Sequence, residues 1–393
     1  MISVTKLLCK SADHYGDKLR YGIPSRGEVQ GTTGKWGPVV VWNCTRTCNL
    51  NCVHCYSASE KCAYEGELST EEARKFIDDL AVFRVPVLLF SGGEPLMRKD
   101  FYELVDYAAS RGLRATISTN GTLIDAEAAR QFKKVGIGYV GVSLDGIGEN
   151  HDLFRGHKGA FDRALRGIYH CLAAGLKVGV RFTVTRHNLI EVPEIFRLVK
   201  EEDIPRLCFY HLAYSGRGSD MVKEDILAEE NRELLDYIAE EVLTMEKSGN
   251  LKEILTVDNH ADGVYLYLQM KKSNKKAAER IWELLSSNGG NRSGIAIAAV
   301  DNEGFVHPDQ FTPNHVFGNV KECFFGDIWT DTSHPILRGL KDRKPLLKGR
   351  CSKCRWLTVC NGNFRSRAEA VCGDFWAPDP ACYLTDKEIF DGG

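Results

Sequence analysis

Between Pro38 and Gly216 short β-rich apolar runs alternate with helical patterns, and no other feature of this sequence narrows the fold so far. Parallel strands need a crossover, which is usually a helix, so the alternation predicts a parallel α/β sheet. The strand runs are Val39 to Cys44, Val85 to Phe90, Leu113 to Thr119, Ile137 to Leu144, Val178 to Val184 and Leu207 to Leu212. Between them Ala73, Phe76, Ile77 and Leu80 follow a helical stripe, headed by Ser69 and Glu72 as a capping box. Asp100 and Glu103 repeat that device before Leu104, Val105 and Ala108, while Gly112 and Gly175 stand where helix C-terminal glycines belong. Six such units in roughly 180 residues are too few for an eight-fold barrel of about 250, so an open (β/α)6 barrel is expected.

Past Gly216 the pattern turns helical and charged, through Glu229 to Lys247 and again from Lys271 to Leu285, separated by the segment from Val257 to Gly263. A hairpin-like stretch from Ile295 to His307 precedes a cysteine-rich tail beginning at Cys351. The predicted organisation is therefore an N-terminal extension over 1–37, a barrel over 38–216, a helical bridge over 217–290 and a small terminal unit over 291–393.

With 51 Lys plus Arg against 53 Asp plus Glu, the net charge of −2 offers no general surface for a polyanion, which argues against a nucleic-acid partner. No apolar run approaches the roughly 18 residues that cross a bilayer, so no membrane partner and a cytoplasmic location are expected. The 14 cysteines lie in tight clusters, which in a long chain lacking an export signal points to metal binding ahead of disulfides.

The first cluster is Cys48-Asn-Leu-Asn-Cys52-Val-His-Cys55. Three thiolates on one loop can hold zinc, or three irons of a four-iron cluster, and in the second case one iron stays open for another ligand. Ligands of parallel sheets gather at the carboxyl ends of strands, and the suspicious loops all follow strands: the cysteines after the first, Ser91-Gly92-Gly93-Glu94-Pro95 after the second, Ser118 to Thr122 after the third, and Asp145-Gly146 after the fourth.

The x3, x2 spacing of Cys48, Cys52 and Cys55 resembles the signature of the radical S-adenosylmethionine (SAM) enzymes. The resemblance implies a [4Fe-4S] cluster on these three cysteines, SAM chelated at the open iron, and a 5′-deoxyadenosyl radical after one-electron cleavage. His54 stands where the family usually has an aromatic near the adenine. Ser91, Gly92, Gly93 and Glu94 resemble the family's glycine-rich loop, in which backbone meets the methionine part of SAM and the carboxylate its ammonium. Asn120, Ser143, Asp145, Arg181 and His211 are similar to the polar contacts the family makes to SAM from later strand ends. Cys44 and Cys62 fall outside the register and read as buried thiols.

The tail, Cys351-x2-Cys354-x5-Cys360-x11-Cys372-x9-Cys382, resembles the auxiliary-cluster domain called SPASM/Twitch. That likeness implies a second [4Fe-4S] cluster on Cys351, Cys354, Cys360 and Cys382, with Cys372 as the alternate fourth ligand. Asp309 stands where a further cluster would need cysteine, and Cys323 reads as an unligated thiol.

The stretches Pro38 to Asn43, Cys208 to Gly218, Leu255 to Gly263 and Cys354-Arg-Trp-Leu resemble the heme-biosynthesis branch of the family. Within it the Asp258-Asn-His-Ala-Asp262 segment is most similar to the didecarboxysiroheme deacetylases of the siroheme-dependent pathway. A tetrapyrrole substrate and an electron donor of unknown identity are thereby implied. Alternatives are the propionate-removing enzymes of heme d1 synthesis, coproheme decarboxylases, and peptide-modifying SPASM enzymes; an electron-transfer protein with two closed clusters is the non-enzymatic rival. Arg155, Arg186, Arg217, Arg365 and Arg367 are candidates to grip macrocycle carboxylates, and His260 is a candidate ligand of the substrate iron.

Overall fold

A computed structural model describes residues 1–10, 12–14, 16–22 and 37–390. Ten strands form one sheet: β1 (Ile2–Ser3), β2 (Val39–Thr45), β3 (Val87–Gly92), β4 (Arg114–Thr119), β5 (Val140–Ser143), β6 (Val178–Val184), β7 (Arg206–His211), β8 (Glu253–Val257), β9 (Ile297–Val300) and β10 (Val306–His307). Their order is β1-β8-β7-β6-β5-β4-β3-β2-β9-β10. From β8 through to β9 every neighbouring pair is parallel, and the short edge strands β1 and β10 run antiparallel.

The α/β partial barrel expected from the alternation is present, with more strands than the six predicted. Glu253–Val257, inside the segment predicted as a helical bridge, is a strand paired with β7 on one side and β1 on the other. The hairpin of the terminal unit contributes β9 to the opposite edge, with Val41 beside Ala299. Strand ends shift by up to three residues: β3 starts at Val87, not Val85, and β5 at Val140, not Ile137. Ser69 and Glu72 do form a capping box. Asp100 does not, because its carboxylate is taken by Arg98 at 2.8 Å and Thr70 at 2.7 Å.

Two-residue periodicity divides each strand between two environments. Val40, Trp42, Leu88, Phe90, Ile117, Val142, Val180, Phe182 and Phe209 point to the helical layer and are fully buried. Alternate positions carry Asn43, Ser118, Ser143, Arg181 and Tyr210, all half-buried, on the inner face of the curved sheet. There Arg181 Nη1 reaches across β5 to Ser118 Oγ at 2.5 Å. It can do so because β5 has Gly141 at the crossing, where a Cβ would fall 2.5 Å from Arg181 Nε. A parallel barrel ordinarily fills its interior with branched apolar side chains; a polar inner face on an open sheet is built to hold something else.

Trp42 anchors the outer layer, with its ring 5.5 Å from both Phe76 and Phe90 and the Arg98 guanidinium 5.3 Å above it. Trp42→Ala is expected to cost about 3–5 kcal/mol of stability, read as a lowered denaturant midpoint with an unchanged slope.

Candidate active site

The loop from Thr47 to Glu60 leaves β2 and is stitched down along its whole length. Cys48 N donates to Glu60 O at 2.9 Å, Val53 N to Phe154 O at 3.0 Å, and Arg217 N to Cys55 O at 2.9 Å. The Arg217 side chain adds bonds to Cys52 O at 2.8 Å and Ser59 O at 3.1 Å. The glycine-rich turn of β3 lies flat against the loop's start: Gly93 N donates to Thr45 O at 2.8 Å and Glu94 N to Thr47 O at 2.9 Å. A Cβ at Gly93 would sit 2.3 Å from Thr47 O, so only glycine permits the approach. Gly216, at φ +54°, plays the same part opposite Tyr56 O, 2.4 Å from where its Cβ would be.

Cys48, Cys52 and Cys55 thus share one small buried cluster, and none forms a disulfide. N–H groups aim at their sulfurs: Leu50 N and Arg155 Nη1 each at 3.5 Å, onto Cys48 and Cys52, and Asn120 Nδ2 at 4.0 Å onto Cys48. Burial pushes the Cys48 thiol up to about 12 and raises that of Cys52. Such thiols ionise only against a strong positive charge, and N–H donors to sulfur are what stabilises cluster-bound thiolates. Among the described residues no three His, Cys, Asp or Glu side chains are grouped to hold a single metal ion. Three sulfurs gathered on one buried loop, with N–H groups aimed at two of them, are a donor set that fits a cluster with separate irons for separate sulfurs.

Beneath the loop lies an ion pair that the sequence did not reveal. Asp145, fully buried, receives Arg155 Nη2 and stands 3.2 Å from His54 Nε2, while Thr183 N donates to it at 2.7 Å. Burial alone would raise this carboxyl, but Arg155 and His54 override it and hold it well below the carboxylate range. Arg155 also reaches Cys52, so one guanidinium joins a buried carboxylate to a cysteine sulfur. Arg155 is therefore occupied within the loop's support and does not grip macrocycle carboxylates as predicted.

The other predicted contacts divide. Asn120 is bound into the loop through Asn49 Oδ1 at 2.9 Å, and Ser91 through Tyr56, whose hydroxyl also donates to Asn43 at 2.9 Å. Tyr56 was missed, although an aromatic directly after Cys55 was signal enough. Glu94 is fully buried and accepts from Thr119 Oγ1 and Asn120 N, each at 2.8 Å, and from Leu96 N at 3.2 Å; burial pushes it up to about 7. Ser143 and Arg181 stay on the inner face. His211 is buried 2.9 Å from Asp262, whose other oxygen accepts from Tyr383 OH at 2.8 Å; burial opposes the charge on His211, and Asp262 overrides it to raise the imidazole's pKa.

In the tail, Cys351, Cys354, Cys360 and Cys382 come together: burial raises the Cys360 thiol first, and the three others raise it further. Cys372 is exposed on helix Arg365–Cys372, and Cys323 is exposed as well. Cys44 is buried, whereas Cys62, also predicted buried, is exposed. Asp309 is saturated by Ser293 Oγ, Phe311 N and Thr312 Oγ1. Of the remaining arginines, Arg217, Arg365 and Arg367 are spent on backbone carbonyls or Asp379, and Arg186 keeps a half-exposed side chain 3.5 Å from Glu230. His260 is buried, its Nε2 3.1 Å from the Met1 amine and its backbone N–H on Asn363 Oδ1.

Residues 42–199 match the model of the radical SAM superfamily. The chain is 55% identical to the Fe-coproporphyrin III synthase of Methanosarcina barkeri over 99% of both chains, and 41% identical to the pre-heme d1 synthase of Dinoroseobacter shibae over 95% of this chain and 92% of that one. Among solved structures it is similar to Streptococcus suis SuiB bound to S-adenosylmethionine, with a TM-score of 0.71 and 18% identity over 89% of this chain and 78% of that one, a likeness of fold. The chain belongs to the radical SAM superfamily, and S-adenosylmethionine and a [4Fe-4S] cluster are its cofactors.

Asp145→Asn leaves Arg155 buried without its countercharge, which should cost about 3–5 kcal/mol and shows as a lower denaturant midpoint. A depressed carboxyl contributes fully above the unfolded value and loses its contribution only as pH falls through the folded one. The gap between wild type and variant should therefore narrow as pH falls below the carboxylate range.

Proposed function

We propose that this chain removes the two acetate side chains of 12,18-didecarboxysiroheme, leaving methyl groups and yielding Fe-coproporphyrin III. The observation that carries the reading is the end-to-end kinship with Fe-coproporphyrin III synthase, well above that with pre-heme d1 synthase. Cys48, Cys52 and Cys55 would hold three irons of the first cluster. When bound there, the cluster and SAM supply one-electron cleavage of a sulfonium and hence a carbon-centred radical.

The chain's own residues bind, orient and exclude. Gly92 and Gly93 bring bare backbone to the cluster's side of the barrel, where it can meet the methionine part of SAM. Ser143, Arg181 and Tyr210 line the inner face with groups that suit SAM and a substrate bearing carboxylates. Arg155 would hold Cys52 in its thiolate form. His54 is tied to Asp145, which fixes its ring at the loop's inner edge. The unit over 291–393 would carry a second [4Fe-4S] cluster on Cys351, Cys354, Cys360 and Cys382, and an electron donor outside the chain would supply the reductant. Arg186 remains the arginine best placed to meet a substrate carboxylate, since its side chain is 46% exposed where the chain leaves β6.

Reconstituted protein incubated anaerobically with SAM, dithionite and didecarboxysiroheme should form 5′-deoxyadenosine together with a pigment of the mass of Fe-coproporphyrin III. Formation of 5′-deoxyadenosine with unchanged pigment would overturn the substrate. A product retaining both acetates but lacking propionates would move the chain to the heme d1 reaction. Cys48→Ala should abolish 5′-deoxyadenosine. Cys382→Ala should lose about half the bound iron and the second cluster's paramagnetic signal, whereas Cys372→Ala should keep both.

A further inference from the structure

Asp258 directly follows β8 at the mouth of the barrel, the same end from which the cysteine loop leaves β2. Among the described residues it is the one acid with φ in the left-handed region, at +68°, that also has a buried carboxylate oxygen, Oδ2, lacking any hydrogen-bond partner. Either feature alone is tolerable. Together they describe a side chain held in a sparsely populated backbone region with one carboxylate oxygen left unsatisfied, which is the pattern of a ligand-contacting residue.

What holds it there is identifiable. Arg367 Nη2 donates to the Asp258 backbone carbonyl at 2.5 Å, and the same guanidinium reaches Leu212 O at 3.1 Å and both oxygens of Asp379. The backbone is clamped while Oδ2 of the side chain is left without a partner. Tyr210 lies beside it, since Tyr210 pairs with Val257 in the sheet, and it borders Arg181, whose Nε is likewise buried without a partner. The charged groups facing Asp258 are the Met1 amine, Arg367 and His211, with Asp309 as the opposing acid; burial outweighs them and pushes its carboxyl up to about 6.

A carboxyl that resists ionisation can donate a hydrogen bond, and one natural recipient is a ligand carboxylate sharing the proton. We infer that Asp258 is a substrate-contact residue, donating from its free oxygen to a side-chain carboxylate of the macrocycle at the barrel mouth. This rests on the proposed tetrapyrrole substrate. It gives the site a carboxylate reader distinct from the arginines, nearly all of which are committed to structure.

Two substitutions separate the side chain from the backbone. Glycine adopts φ +68° without strain, so Asp258→Gly keeps the fold and removes only the carboxyl; asparagine also tolerates that region and keeps a donor. Equilibrium dialysis of didecarboxysiroheme against the cluster-loaded protein, without turnover, reads binding directly. Asp258→Gly should weaken binding at least about tenfold, the loss of one hydrogen bond to a charged group. Asp258→Asn should stay within about threefold of wild type, all three proteins should match in iron–sulfur absorbance and SAM affinity, and neither variant should have a thermal midpoint below that of the wild type. Wild-type binding by the glycine variant would overturn the contact. An asparagine variant as weak as the glycine one would overturn the donor role. Failure of the wild type to bind the pigment would instead overturn the substrate reading, and this inference with it.

Discussion

The cysteine loop keeps its shape because a charge is buried beneath it. Asp145 and Arg155 are each removed from water, a step that costs several kcal/mol per ion before any compensation. The structure offsets this by giving each member of the pair further partners: Thr183 N and His54 for the carboxylate, Cys52 for the guanidinium. Backbone then closes the arrangement, because Phe154 and Arg155 accept from Val53 and Asn51 of the loop. A loop of this length would pay heavily in conformational entropy if left free. Here the turn after β5, the segment at Phe154 and Arg155 and the segment after β7 each hold part of the loop, so the protein's own contacts set where the three sulfurs lie.

The inner face of the barrel can be sparsely apolar because it is not what holds the fold together. Stability comes from the outer layer, where Trp42, Phe90, Phe182 and Phe209 are fully buried against helices. The inside is thereby released from packing duty and can carry Asn43, Ser118, Ser143, Arg181 and Tyr210 at positions that a closed barrel would fill with branched side chains. The open sheet and the polar interior are two consequences of one division of labour between the faces of each strand.

How far the sequence disclosed this depended on the range of the interactions involved. The strand alternation, the cysteine spacing and the Ser69 capping box are local, and each was legible. The strand Glu253–Val257 was not, because it lies between long helices and owes its state to pairing with β7 and with β1, the latter some 250 positions away. Arg155 was visible as an arginine but not as the partner of Asp145, since a sequence gives residue type without its tertiary neighbour. The same ignorance misplaced Arg217, Arg365 and Arg367, all read as anchors for a ligand and all found bonded to main-chain carbonyls. Exposed Cys62 and the uncapped Asp100 failed for smaller reasons of the same kind: what decides them is a contact, not a pattern.

Arg367 shows what such a committed arginine achieves. Its guanidinium is wholly buried and touches three parts of the chain: Leu212 just after β7, Asp258 just after β8, and Asp379 in the loop that leads to Cys382. Asp379 in turn accepts from Phe364 N and Ala381 N, next to the thiols of Cys360 and Cys382. A hydrophobic contact at this point would hold the tail against the barrel but would leave it free to slide, since apolar packing is non-directional. A planar donor fork with a bidentate carboxylate fixes distance and angle at once. The tail's cysteines are therefore registered to the barrel mouth by hydrogen-bond geometry.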